Sequence, residues 1–344
     1  MMRKLIVFLA LIQPICLFCF QPISFIKSNN STPTLINSVS FHPEKNLFCA
    51  TFTHQHWVGL YQITEDDRVE LVQVLQNPEA QFFHPQNAIF SPDGKNLVVV
   101  NWSSRNFNVY PLDHEGHFQK NPQSVVVTEL SHEKYRPHGM CFSADGNFLA
   151  VVYGSFHDSP WTVILYRVQD LGTEHAKLIP CSSLQRGQNL KGIPKGIVFS
   201  PDQTCLIITF TQTDSLGVFP VDFETGCINP VPMQEISGVV TKLCRPEDIA
   251  FSSDGSYCAV SNSSQDTVTF YRFDKINNRF TSATPFKILN KKNADLHFPH
   301  GLGFSADGKY FAVTQFGLVK LDPLGHLTTW GSKRVEGVSL FKVH

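Results

Sequence analysis

The 344-residue chain is 42% apolar and 17% charged, an ordinary globular make-up, and is long enough to bury roughly three quarters of its unfolded surface. Its 28 basic and 29 acidic residues leave a net charge of −1, and Lys291-Lys292 and Lys333-Arg334 are isolated pairs rather than parts of a basic stripe. That balance excludes nucleic acid as the main partner.

The chain opens on Met1-Met2-Arg3-Lys4 and an apolar run from Leu5 to Phe20. A basic start ahead of a short apolar run has the form of a secretory leader, although Leu17 and Phe18 stand where small residues usually precede a cleavage site. The run is short for a membrane span and is interrupted by Gln13 and Pro14, and no other segment is apolar enough to cross a bilayer. The expected organisation is therefore a signal peptide over 1–20 and one exported domain over 21–344, periplasmic or extracellular, with no stable membrane span and as a monomer. Two of the nine cysteines, Cys16 and Cys19, fall in the leader, which leaves an odd number. Cys49, Cys141, Cys205 and Cys258 lie in strand-like runs, where thiols behave as small apolar residues. A disulfide framework is not expected; one or two bridges are the most that fit, with Cys227 and Cys244 nearest in sequence.

Beyond the leader, six segments repeat one pattern: a short apolar strand ending in phenylalanine, a tight turn, and a second apolar strand. The anchors are Phe41, Phe90, Phe142, Phe199, Phe251 and Phe304, spaced 49, 52, 57, 52 and 53 residues apart. A Ser-x-Asp-Gly turn follows at Ser91, Ser143, Ser252 and Ser305; Gln203 replaces the glycine in the fourth unit, and Glu44-Lys45 replaces Asp-Gly in the first. Serine and aspartate bond their own backbone in such turns, and glycine supplies a positive φ. A third strand carries an aromatic residue at a fixed place, namely Tyr61, Tyr110, Tyr166, Phe219, Tyr271 and Phe341, and a looser fourth strand follows. Four strands in a unit of about 50 residues make a propeller blade rather than a helical repeat. No sustained helical period appears after Phe41, so the fold class is all-β.

The chain ends set the blade count. The last unit stops after its third strand, and a candidate fourth strand lies upstream at Pro22–Lys27. Ile23 precedes Phe41 by 18 residues, the offset that also separates Phe286 from Phe304. The first and last segments are thus expected to share one blade, closing a six-bladed ring and removing two exposed sheet edges. Seven blades is the alternative; the extra one would have to lie between Phe316 and Glu336, a stretch that reads as an extended loop.

The Phe-Ser-Pro-Asp-Gly turn at Phe90–Gly94, the apolar strand after it, and the Pro-His-Gly that precedes the anchor at 137–139 and 299–301 resemble the lactonase and YVTN-repeat propellers. The resemblance covers nearly all of the mature chain. It implies a propeller, usually of seven blades, in a superfamily where some members open cyclic esters or cyclise muconates and others only bind. The paired Gly-His and Trp-Asp signatures of WD repeats are absent, while six-bladed TolB-type propellers share the Pro-Asp-Gly turn.

In propellers of this kind the first strand of each blade lines the channel. Here its entry carries a proline in five units, and the next position reads, around the ring, Asn37, Gln86, His138, Lys195, Glu247 and His300. All six are polar at the start of apolar strands. With Arg136 and Arg245 they form a candidate binding site for a small polar or anionic ligand, or for a protein partner, at one channel mouth. Asn101, Trp102, Arg105, His157, Asp158, Trp161, Asn262 and Gln265 are its candidate rim. A non-catalytic binding role is the first reading, and a merely water-filled entry suits the same residues. The alternative is a lactonase-like hydrolase acting on a cyclic ester of the sugar-lactone type, with His138, Glu247 or His300 as general acid or base. Ring substitutions are expected to cost little stability, as at a surface, and anion binding to weaken as the two histidines lose charge near pH 6–7.

No metal and no cofactor are expected. The His138, Glu247 and His300 set has no local ligand spacing. Gly301-Leu-Gly303-Phe-Ser-Ala306 superficially matches a dinucleotide fingerprint but leads into a β-turn rather than a helix. No Gly-x-Ser-x-Gly elbow or His-Glu-x-x-His helix occurs. Glycosylation sequons begin at Asn29, Asn30, Asn101 and Asn262.

Overall fold

A computed structural model of the chain describes residues 19–27, 35–76, 83–119, 123–124, 126–127, 136–154, 162–317, 319–321, 327–330 and 336–344. Most of the proposed leader, the sequons at Asn29 and Asn30, and the rim residues His157, Asp158 and Trp161 lie outside the described residues.

Among the described residues, six sheets stand around one ring, three of four strands and three of five. Blade one runs outward from Ile36–Phe41 through Leu47–Phe52 and Trp57–Ile63 to Val69–Leu75. The innermost strands of the next five blades are Pro85–Phe90, Arg136–Phe142, Pro194–Phe199, Pro246–Phe251 and Pro299–Phe304. Each touches the innermost strand on either side, and Ile36–Phe41 meets Pro299–Phe304 to complete the circle. Closure is by strand exchange between the chain ends. Phe20–Lys27 pairs antiparallel with Glu336–Val343, placing Phe20 opposite Val343 and Lys27 opposite Gly337. That is the six-blade arrangement the matched offsets imply. The stretch between Phe316 and Glu336 contributes a two-stranded hairpin, Val319–Leu321 with Leu327–Trp330, rather than a blade.

Six apolar clusters lie one in each gap between blades. Every anchor phenylalanine packs in the cluster shared with the preceding blade, Phe90 and Phe199 fully buried and the other four partly so. The third-strand aromatics fill the same clusters, with Tyr110, Tyr166 and Tyr271 fully enclosed. A buried phenylalanine of this kind stabilises by about 3–5 kcal/mol over alanine, which is why the repeat keeps an aromatic at both places.

At the face away from the strand entries, the serine hydroxyls of five turns donate to their aspartates at 2.5–2.7 Å. Each of those aspartates also accepts a backbone N–H two residues on. Gln203 adopts the glycine's left-handed conformation at φ 67° and uses its side chain to accept from Ala144 N–H of the neighbouring blade at 2.7 Å. In blade one His42 does the aspartate's work, its Nδ1 accepting from Glu44 and Lys45 N–H. The eight described cysteines are free thiols, and no described helix is long and apolar enough to cross a membrane.

Candidate functional site

Every innermost strand enters from the same face with the same distortion. Its antiparallel pairing slips between the first residue and the third or fourth: Ile36/Val39, Pro85/Asn87, Pro137/Met140, Pro194/Ile197, Pro246/Ile249 and Pro299/Leu302. A bulge re-aims the side chains on it, here turning the residue after the proline into the channel mouth. The residue before is left-handed in four blades: Leu35, His84, Arg245 and Phe298, with φ of 49–54°. Such backbone persists only when neighbours over-determine it. The carbonyls of these residues accept from Thr53, Trp102, Ser263 and Phe316 N–H at 3.0–3.2 Å. Three of their N–H groups donate to the previous blade: His84 to His56 Nδ1, Arg245 to Asp214 and Phe298 to Asp266, at 3.0, 2.6 and 2.7 Å.

Glycine follows the ring position in three blades because the next innermost strand leaves no room for a side chain. A Cβ on Gly139 would sit 2.4 Å from the Lys195 carbonyl oxygen, and one on Gly301 would sit 2.5 Å from that of Asn37. This approach draws the six side chains into a continuous circuit. Asn37 Nδ2 donates to Gln86 Oε1 at 3.1 Å, and Gln86 Nε2 lies 3.1 Å from His138 Nε2. Lys195 Nζ lies 3.0 Å from the same imidazole nitrogen and 3.9 Å from Glu247 Oε2. His300 Nε2 lies 3.6 Å beyond that oxygen, and His300 Nδ1 donates to the Asn37 carbonyl at 2.9 Å. All six residues taken from the repeat are brought together. Arg245 Nε reaches the circuit, donating to Glu247 Oε1 at 3.0 Å. Arg136 stays on the rim: its guanidinium sits over the Trp102 ring at 5.7 Å, and the Trp102 and His138 rings meet at 82° with centres 5.9 Å apart.

The mouth is not an open, wet entry. Asn37, His138, Glu247 and His300 are all buried, and the two imidazoles lie only 6.0 Å apart, centre to centre. This corrects two expectations. Ring substitutions act on mutually bonded, buried groups and do not carry surface-like costs. Both histidines are also held below their ordinary range. Burial, then Lys195 and His300, push His138 well below its ordinary range. Burial also lowers His300, with Glu247 opposing and Lys195 assisting. His138 Nε2 faces two donors and is therefore its unprotonated nitrogen. Burial pushes the Glu247 carboxyl up, but Lys195, His300 when it is protonated, and Arg245 together outweigh it and lower the group below its usual range. The Lys195 ammonium is lowered by burial, which Glu247 only partly offsets. Arg136 and Arg245 stand beside it as further cations, with Asp214 and Asp266 at the neighbouring strand entries.

The sequence reading missed three residues at the ends of second strands, although it named their counterpart Trp102. Thr53 accepts from Asn37 Nδ2, Ser263 Oγ lies 3.2 Å from Glu247 Oε1, and the Phe316 ring stacks on His300 at 4.5 Å. Each lies opposite the residue two before the ring position, Leu35, Arg245 or Phe298, so the strand pairing, had it been known, would have found them. Asp248 was also missed; its carboxyl accepts from Ile249 N–H and, across the blade junction, from Leu302 N–H, both at 2.9 Å. Two proposed rim residues are instead internal. Asn101 and Asn262 are fully buried and bond Asn108 and Thr269 within their own blades, which leaves neither accessible for a glycan. Among the described residues, the one cluster of potential metal ligands, Asp113, Glu115 and His117, is a largely exposed turn on the opposite face.

The family described as lactonase, 7-bladed beta-propeller, matches residues 29–316. Its description gives seven blades where the described residues form six. No curated protein sequence matches the chain at a significant level. Among solved structures, the chain is similar to a periplasmic gluconolactonase of Pseudomonas aeruginosa at 16% identity and a TM-score of 0.58, covering 92% of this chain and 90% of that one. It is similar to a protein from Bacteroides uniformis described as a 6-phosphogluconolactonase, at 16% identity and a TM-score of 0.55, covering 88% and 85%. A luciferin-regenerating enzyme is similar at 11% identity and a TM-score of 0.61, covering 93% and 94%. At these identities the likeness is one of fold.

Proposed function

The chain belongs to the lactonase family of β-propellers, and from that premise we propose that it hydrolyses a cyclic ester at the six-residue circuit. The family match favours hydrolysis over the purely ligand-binding role. The observation that carries this reading is a pair of acceptors that face each other. Glu247 Oε2 is buried without a hydrogen-bond partner, and His300 Nε2 stands 3.6 Å from it. Since His300 Nδ1–H is committed to the Asn37 carbonyl, the neutral imidazole offers only a lone pair there. One water donating to both acceptors satisfies the pair and leaves its oxygen free to attack.

In this mechanism the water oxygen bonds to the ester carbonyl carbon while one proton passes to His300 Nε2, the stronger base of the pair. Glu247 remains ionised and stabilises the imidazolium. Lys195 Nζ stands between His138 Nε2, at 3.0 Å, and Glu247 Oε2, at 3.9 Å, and its ammonium stabilises the oxyanion. Collapse breaks the ring C–O bond, the imidazolium proton goes to the leaving alkoxide, and an open-chain hydroxy acid results. The cations at the mouth, Lys195, Arg245 and Arg136 on Trp102, suit a polar or anionic lactone. The test is acid release, followed at constant pH, from a panel of five- and six-membered sugar lactones. Rates no higher than the buffer's across the panel would sink the proposal. Export is part of the same reading, supported by the likeness to a periplasmic gluconolactonase.

A further inference from the structure

Glu247 is held by one oxygen only. Oε1 lies 3.0 Å from Arg245 Nε and 3.2 Å from Ser263 Oγ, whereas Oε2, the oxygen turned towards Lys195 and His300, accepts no hydrogen bond. A carboxylate with both donors on one oxygen has its plane fixed, and its other oxygen is left to whatever enters the site. Ser263 is itself buried and opens the short 3-10 turn Ser263–Gln265, directly after the second strand of blade five. Its backbone N–H donates to the Arg245 carbonyl at 3.2 Å, so the turn stays clamped over the strand entry whatever the side chain does. The hydroxyl lies equally near the Arg245 carbonyl, at 3.2 Å, but its single proton goes preferentially to the charged acceptor. Arg245 is fixed in turn, because its left-handed backbone donates to Asp214 of the preceding blade at 2.6 Å.

We propose that Ser263 is a positioning residue for Glu247, acting with Arg245 to occupy Oε1 so that Oε2 alone faces the reacting water. The analogous residues also hold their ring side chains: Thr53 Oγ1 accepts from Asn37 Nδ2, and Phe316 buttresses His300 with its ring instead of a hydroxyl. The kinetic consequence rests on the hydrolytic reading above, whereas the electrostatic consequence does not. The groups that set Glu247's charge are Lys195, His300 and Arg245, with Asp248 beside it on the same strand. Removing the Ser263 hydroxyl leaves all of these in place and takes away one donor to the ionised form.

The test compares Ser263→Ala with Ser263→Thr in the full chain, following the carboxyl carbon of Glu247 by NMR through a pH titration, with Glu247→Gln to assign the signal. The Ala variant is expected to titrate at higher pH than the wild type, and the Thr variant to return towards it. On a hydrolysed lactone, kcat of the Ala variant is expected to fall about ten-fold with KM within two-fold. An unmoved titration overturns the positioning role whether or not the protein turns over lactones. A shifted titration in a protein that hydrolyses no lactone supports the positioning role and overturns the hydrolytic reading alone. Equal kcat in Ala variant and wild type, on a lactone the wild type hydrolyses, also overturns it.

Discussion

Gly139→Ala tests the link between the Pro-His-Gly motif and the site. Gly139 is outside the left-handed region, so alanine suits its backbone; what it lacks is space. The added Cβ would lie 2.4 Å from the Lys195 carbonyl oxygen, whereas carbon and oxygen approach to about 3.3 Å at closest without strain. The innermost strands of blades three and four must therefore part by about 1 Å. Overpacking of this kind costs about 1–3 kcal/mol, and the separation also stretches the 3.0 Å contact of Lys195 with His138. The expected total is about 2–4 kcal/mol, or several degrees in calorimetric Tm. The effect on activity is expected to be larger, because a 1 Å misplacement of a catalytic group costs about 100-fold in rate. Both are measurable at 25 °C, where the variant remains folded. A variant with wild-type Tm and wild-type kcat on a hydrolysed lactone would refute the claim that these strands pack at backbone contact to form the circuit.

Two further outcomes concern groups that the proposed chemistry does not use directly. Burial pushes the Asp248 carboxyl up to about 7, while in an unfolded chain it ionises near 3.8. The native state therefore holds one proton more between these values, and stability falls as pH rises through that window, by at most about 4 kcal/mol. Asp248→Asn is expected to flatten this slope in urea titrations run from pH 4 to 8, and an unaltered slope would show that another group causes it. For export, mass spectrometry of the protein recovered from outside the cytoplasm is expected to find the leader removed ahead of Phe20, which pairs with Val343 in the closing strand; the intact N-terminus on a cytoplasmic protein would contradict the leader assignment.

The repeat made the architecture legible because blades bury aromatics at fixed places, so Phe90 and Tyr110 announce a junction before any coordinates are known. The chain-end offset made closure legible for the same reason: Pro22–Lys27 was expected to supply the strand that the last blade lacks, and the pairing extends back to Phe20. The ring was legible as a set of positions, since each follows the entry of an innermost strand. Its state was not. Nothing local distinguishes a histidine in an open channel from His138, buried against Lys195, because the closeness arises from Gly139 and Gly196 acting on neighbouring blades. Ser263 and Phe316 were illegible for a related reason. They come from second strands, and only cross-strand register brings them over Glu247 and His300. Asn262 shows the converse error: a sequon read from three residues is void once the amide is enclosed by Thr269 and Cys244.

The central claim is that the facing acceptors Glu247 and His300 activate a water for ester hydrolysis. It is tested most directly by kcat/KM for one sugar lactone, measured from pH 5 to 8 on the wild type and on His300→Asn. Asparagine retains a donor for the Asn37 carbonyl but offers no imidazole base. The account predicts a wild-type rate that falls only below the ordinary imidazole range, because burial holds His300 down, and a loss of at least about 100-fold in the variant. A His300→Asn protein that retains the wild-type rate and pH profile would contradict it.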